Sequence, residues 1–174
     1  MWLWHPRYRE GEEMFRKILY PTDFSPSARA ALPYVRKLRE AGAEEVILLH
    51  VFDERNVDVH WEIQEELHPQ EPPGQTKHEV LKTLLEKRYA RLKDLECKLA
   101  AEGFKTELVV IEGIPYREIV KTADDMAVSL IVMGSHGEHG LVEKLVGSTT
   151  FRVISHTNVP VLVVRPGAQG ANGQ

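Results

Sequence analysis

Cysteine is nearly absent from this sequence, with Cys97 as its one thiol. A single thiol closes no internal disulfide and builds no zinc cluster, so the fold must rest on its core, in keeping with a reducing compartment. Long apolar runs are missing too. None approaches the roughly 18 residues that a spanning helix needs. The first residues, MWLWHPRYREGEEM, hold two tryptophans but no long apolar core and no small-residue cleavage site, so they match a signal peptide poorly. The expected location is cytoplasmic, with no membrane partner. Basic charge is not in excess: 22 Lys and Arg stand against 26 Asp and Glu, for a net charge of -4, and the basic residues are scattered. That argues against a nucleic-acid partner. Two familiar phosphate signatures, G-x-x-x-x-G-K-[ST] and G-x-G-x-x-G, do not occur. No serine–histidine–acid triad or paired-carboxylate arrangement is recognisable, and no general base for phosphoryl chemistry is nominated. No catalytic residue is therefore assigned.

What is present is an alternation of short apolar runs and longer helical patterns within 174 residues, a length that suits one domain. Lys17 to Tyr20 reads as a first strand, ended by Pro21-Thr22-Asp23. Ser25 can cap a helix with Pro26 in its first turn. That helix runs toward Glu40 and stops at Gly42, and Pro33 should kink or shorten it. Val46 to Val51 is a second strand, apolar on both faces as in a covered parallel sheet. The polar stretch from Asp53 to about Gln75 is a long connection, with some helix around Trp61 to Leu67. Leu81, Leu84, Leu85, Leu92, Leu95 and Leu99 mark a second helix, ending near Gly103. Leu108 to Ile111 is a third strand. Pro115 opens a third helix with Ile119, Val120 and Ala123 inward. Leu130 to Met133 is a fourth strand, Ser148 to His156 a helix, and Val161 to Val164 a fifth strand. Strands alternating with helices imply an open parallel α/β sheet with helices on both faces. Ligands of such sheets bind beyond the carboxyl ends of the strands.

Just after the fourth strand lies G-x2-G-x9-G-[ST], formed by Gly134, Gly137, Gly147 and Ser148. Glycines can take positive φ and bring backbone N–H groups close to a ligand. Gly147-Ser148-Thr149-Thr150 precedes a helix, whose free N–H groups and dipole attract phosphate. The same glycines could serve only to make turns.

Pro21-Thr22-Asp23-Phe24-Ser25, Leu49-His50-Val51, Val132-Met133-Gly134-Ser135-His136-Gly137, Gly147-Ser148-Thr149 and Val159 to Arg165 together resemble the universal stress protein family, in its ATP-binding branch. The resemblance covers about residues 15 to 166, leaving an N-terminal extension (1–14) and a tail (167–174) that should be disordered. It implies a Rossmann-like five-stranded sheet of order 3-2-1-4-5, a homodimer through strand 159–164, and ATP held at the carboxyl edge. The glycine stretch would take ribose and phosphates, with Gly134, His136, Gly137, Gly147, Ser148, Thr149 and Thr150 as site residues. Adenine would lie against Pro21, Thr22, Asp23 and Val51, with Met133 in support. In that strand order Asp23 and Gly134 flank one crevice. Asp23 could instead cap a helix or make a turn, and Val51 and Met133 could simply be core.

A magnesium or manganese ion, if used, would be bound through the phosphates rather than by His136, Glu138 and His139. His60, His68 and His78 lie in a solvated acidic region, and Cys97 falls off the leucine stripe of its helix. The leading functional reading is an ATP-binding regulatory protein of the stress response that meets an unnamed protein partner. A slow ATPase and a nucleotide-free dimeric interaction module are the alternatives.

Overall fold

The computed structural model describes residues 15–53, 77–136 and 146–166. The N-terminal extension, the helix expected around Trp61 to Leu67, Gly137 to Gly140 and the tail lie outside the described residues. Five apolar runs form one sheet: β1 (Lys17–Pro21), β2 (Glu45–Phe52), β3 (Lys105–Glu112), β4 (Leu130–Gly134) and β5 (Val161–Val164). Its order is β3-β2-β1-β4-β5, with every neighbouring pair parallel. Among the described residues, four α-helices connect them: α1 (Pro26–Lys37), α2 (Lys77–Ala101), α3 (Pro115–Asp125) and α4 (Ser148–His156). This is the expected open α/β architecture in the expected order.

Both faces of the sheet are covered, which is why its strands are apolar throughout. On one face Ile18, Tyr20, Val46, Leu48 and Val132 pack with Ala31 and Val35 of α1 and Leu99 of α2. On the other, Leu19, Ile47, Leu49, Ile131 and Met133 pack with Ile119 and Ala123 of α3 and Val153 of α4. Thr122 joins this inner face of α3, while Val120 sits at its half-buried margin.

The first helix is shortened and stopped at Gly42 as expected, whereas the expectations for β3 and α2 need correction. The α-helical form of α1 runs through Pro33 but ends at Lys37, and Leu38–Ala41 tightens into a 3-10 turn before Gly42, at φ 94°. Pro33 lies on the exposed face, where the loss of one ladder bond is tolerated most easily. β3 is longer than Leu108 to Ile111, because its ends alternate between half-buried and exposed positions and so carry little apolar signal. Among the described side chains, the leucine stripe of α2 is unevenly buried. Leu92 and Leu99 are fully buried, whereas Leu85 and Tyr89 are exposed. A helix of 25 residues is about 37 Å long, and a strand of 8 residues spans about 26 Å. The first two turns or so of α2 therefore stand past the carboxyl edge of the sheet.

Candidate functional site

The strand order reverses between β1 and β4, so the carboxyl ends of these neighbours bound a crevice. On the β1 side, the Thr22 N–H donates to the Leu49 carbonyl at 2.9 Å, extending the β1–β2 ladder by one residue. The chain then turns on its own side chains. Thr22 Oγ1 accepts from the Phe24 N–H at 3.1 Å, and Asp23 Oδ1 accepts from the Ser25 N–H at 2.9 Å. Phe24 sits at φ 64°, a left-handed conformation uncommon for a bulky residue and costing on the order of 1–3 kcal/mol. Its ring lies 5.9 Å from that of His50, and the Arg91 guanidinium lies 5.9 Å from its centre.

Ser25 caps α1 as expected, its Oγ accepting from the Ala28 N–H at 3.1 Å. Beneath the loop, the Tyr20 hydroxyl donates to the Ala28 carbonyl at 2.7 Å. Burial pushes this phenol up to about 12. His50, also buried, places Nδ1 at 2.7 Å from the Thr22 carbonyl and Nε2 at 3.2 Å from Arg88 Nη1. A carbonyl only accepts, so Nδ1 carries the proton and Nε2 accepts from the guanidinium. Through Arg88 and Arg91, the middle of α2 thus touches the β1 loop and the end of β2.

On the β4 side, Gly134 is buried where α1 crosses it. A Cβ there would come within 2.5 Å of the Ser27 carbonyl carbon and 2.7 Å of the Ala28 nitrogen. Close backbone approach, rather than positive φ, is what demands glycine. Gly147 likewise has φ -70° and ψ 159°, which any residue adopts. Neither of these two glycines uses the positive φ open to it.

The loop after β4 is fastened on three sides. Ser135 N–H donates to the Val164 carbonyl at 2.8 Å, and Gly147 N–H to the Ser135 carbonyl at 2.7 Å. Thr150 Oγ1 donates to the Gly134 carbonyl at 3.0 Å. Toward α1, the His136 N–H donates to Ser27 Oγ at 3.1 Å, and Ser25 Oγ donates to the His136 carbonyl at 3.4 Å. The two walls of the crevice are thus bonded directly to each other.

Gly147 begins α4 and, as a glycine, offers no capping side chain of its own to the N–H groups of the first turn. Ser148 is exposed and Thr149 half-buried there, while Thr150 faces inward to Gly134. Pro21, Thr22, Asp23, Gly134, His136 and Gly147 to Thr150 therefore gather at the carboxyl edge. Val51 is half-buried at the end of β2, and Met133 is part of the core beneath. Gly137, Glu138 and His139 lie outside the described residues. Among the described residues no three His, Cys, Asp or Glu side chains are grouped to hold a metal ion. No described helix is long and apolar enough to cross a membrane.

Sequence reasoning gave no role to Ser27, His50, Arg88, Arg91 or Ser135. His50 left a signal, since a histidine inside a strand covered on both faces needs buried partners. The others are brought in by packing.

A sequence profile described as the Universal stress protein family matches residues 14–165. The chain is 41% identical over 155 residues to Universal stress protein MJ0577 of Methanocaldococcus jannaschii, covering 87% of this chain and 96% of that one. The solved structure of MJ0577 superposes with a TM-score of 0.72 at 42% identity, over 88% of this chain and 97% of the other. A universal stress protein solved in complex with cAMP shares the fold more distantly, with 20% identity and a TM-score of 0.51 over 87% and 97% of the two chains.

Proposed function

This chain belongs to the universal stress protein family, and on that premise we propose that it binds ATP in the crevice between β1 and β4 and acts as a regulatory homodimer in a stress response. The observation that carries the reading is the direct bonding of the Ser25–Ser27 and Gly134–His136 segments across the reversal point of the sheet. It preforms a polar crevice beside the start of α4, where Gly147 offers no capping side chain. Each part of an adenine nucleotide has a chemically matched wall. Val51, half-buried, offers apolar surface to the base beside the buried Pro21, and the Asp23 carboxylate can accept from the nucleoside. His136 and the α4 N-terminus, with Ser148 and Thr149, suit phosphate. The cAMP complex supports the fold as a holder of an adenine nucleotide. Among the described residues, those in place offer hydroxyl and backbone donors for phosphate but no carboxylate cluster. They therefore suit magnesium or manganese carried by the triphosphate itself.

The homodimer reading rests on β5, an edge strand at the end of the sheet. Val161, Leu162 and Val163 are half-buried, and α4, which leads into β5, exposes Phe151 and Ile154. Two-fold pairing of identical edges satisfies both copies and closes the assembly. Nucleotide state would then set how the dimer meets its protein partner in the cytoplasm.

The test is direct. Purified protein is denatured and the supernatant assayed for adenine nucleotide, and calorimetry measures ATP binding to the nucleotide-free chain. Saturable ATP binding is expected. Folded protein that carries no nucleotide and gives no heat at millimolar ATP overturns the reading. Steady phosphate release in the same samples would instead mark the chain as a slow ATPase.

A further inference from the structure

Two arginines from two helices converge on one phenol. Tyr116 lies in the first turn of α3, and its hydroxyl accepts from Arg117 Nε at 3.0 Å. The Arg117 guanidinium lies 5.8 Å from the centre of the Tyr116 ring, and that of Arg152, from α4, lies 5.1 Å from it. The His156 ring, one turn after Arg152, closes the group at 5.5 Å. The phenol is held below its ordinary value, first by the hydrogen bond from Arg117 and then by the charges of Arg117 and Arg152. Both cations therefore bear on the same oxygen.

Neither charge is neutralised among the described residues. Arg16 and Arg36 each pair with a glutamate, Glu44 and Glu102. Arg117 and Arg152 are exposed, and no described carboxylate pairs with either. Stacking on an aromatic ring steadies a guanidinium while leaving its outer N–H groups open to a partner. Lys121, exposed four residues after Arg117, extends the basic face along α3. The acids of α3 stand elsewhere. Glu118 lies over Gly113 at the turn from β3, and Asp124 and Asp125 end the helix. A chain of net charge -4 thus gathers unpaired cations on one face.

This face is separate from the β5 edge. On α4, Thr150 and Val153 point into the core. With about 3.6 residues per turn, Arg152 and His156 fall on the flank toward α3, and the exposed Phe151 and Ile154 fall on the opposite flank.

We propose that the α3–α4 face is a docking surface for an acidic segment of a protein partner, whose Asp or Glu carboxylates are taken by Arg117 and Arg152. The proposal deepens the reading above and rests on it for the existence of such a partner. Guanidinium forks match carboxylates through paired N–H groups. The Tyr116 ring between them offers apolar surface to the methylenes that carry those carboxylates. A few cations bounded by Asp124 and Asp125 are too few for a nucleic-acid backbone or an anionic membrane, which call for longer basic stretches.

Fluorescence anisotropy of a rhodamine-labelled hexaglutamate peptide tests this on the full-length chain. The measurement is made without nucleotide, so failure here and failure to bind ATP are separate results. Saturable binding is expected at about 20 mM salt, weakening as salt rises past about 150 mM. Arg117→Ala combined with Arg152→Ala should weaken it about 10-fold or more. Lys93→Ala combined with Lys98→Ala removes the same charge from α2, on the opposite face of the sheet. That pair should change the affinity less than about 2-fold. Unfolding curves establish that each variant is folded, and the single arginine variants carry the test if the double variant is not. A wild type that does not bind the peptide overturns the proposal, as does an equal loss in the arginine and lysine pairs. A uridine oligonucleotide or a phosphatidylserine vesicle that binds through these arginines more tightly than the peptide overturns the choice of partner.

Discussion

Replacing Gly134 with alanine asks why the first glycine of the β4 loop is a glycine. The added Cβ would sit 2.5 Å from the Ser27 carbonyl carbon, 2.6 Å from its oxygen and 2.7 Å from the Ala28 nitrogen, where ordinary contact begins at 3.4 Å. The obstacle is helix backbone, which cannot rotate aside, so α1 must retreat by about 0.9 Å. Overpacking of this kind costs about 1–3 kcal/mol, and a backbone obstacle places it near the upper end. The same retreat strains two bonds that tie α1 to the sheet, Tyr20 hydroxyl to Ala28 carbonyl at 2.7 Å and His136 N–H to Ser27 Oγ at 3.1 Å. Each is worth about 1 kcal/mol. Gly134→Ala should therefore lose about 3–5 kcal/mol, which lowers Tm by about 10 °C for a chain of this size. Gly147→Ala is the control. Its φ of -70° and ψ of 159° suit alanine, so the loss should stay below about 1 kcal/mol. Urea and thermal unfolding of both variants without nucleotide decide the matter. A Gly134→Ala protein within about 0.5 kcal/mol of wild type would refute the close-approach argument.

Tyr20 should make stability fall at alkaline pH. Its phenol is raised from 10.0 to about 12 by burial, so the folded state favours the neutral form. That contribution is full below pH 10 and lost as pH rises through 12, about 3 kcal/mol in all. Tyr20→Phe should flatten this part of the curve, seen as a shrinking gap in urea midpoint between wild type and variant from pH 8 to pH 11.5. Asp23→Ala should weaken ATP and ADP binding alike, because the lost contact is to the nucleoside. If calorimetry finds affinity unchanged while stability drops by about 1 kcal/mol, Asp23 serves only its turn onto Ser25. Val163→Pro removes a backbone donor from the β5 edge and should leave a folded monomer in light scattering across a dilution series. An undiminished dimer would move the interface off β5.

The sheet was legible because each strand is an apolar run and each crossover a helical pattern, and Ser25-Pro26 announced the start of α1 from local chemistry alone. The crevice walls were legible through motifs placed just after β1 and β4. What escaped was set by tertiary geometry. Ser27 and Ser135 are 108 residues apart, and nothing near either serine says that they meet. Gly134 looked like a conformational glycine because flexible loops are its commonest setting, whereas the reason for it lies in a helix that arrives from another part of the chain. The overhang of α2 was hidden because leucines at helical spacing mark a face without saying how far the underlying sheet extends. His50 was read as one more strand position, although its polarity in a covered strand called for two buried partners.

The wiring of the β4 loop also bears on when this site comes into being during synthesis. Chains emerge N-terminus first, and the β1 loop, with its turn at Asp23, belongs to the earliest part of the domain. Its counterpart at His136 joins it only after more than half the chain has followed, across a separation of 109 residues. Even then the loop lacks an anchor, because the N–H of Ser135 is held by Val164, the last residue of the last strand. Every earlier strand can be laid down without completing the crevice. A ribosome that stops short of β5 therefore releases a chain whose β4 loop lacks its Val164 anchor, and the assembled crevice is a property of the finished domain alone.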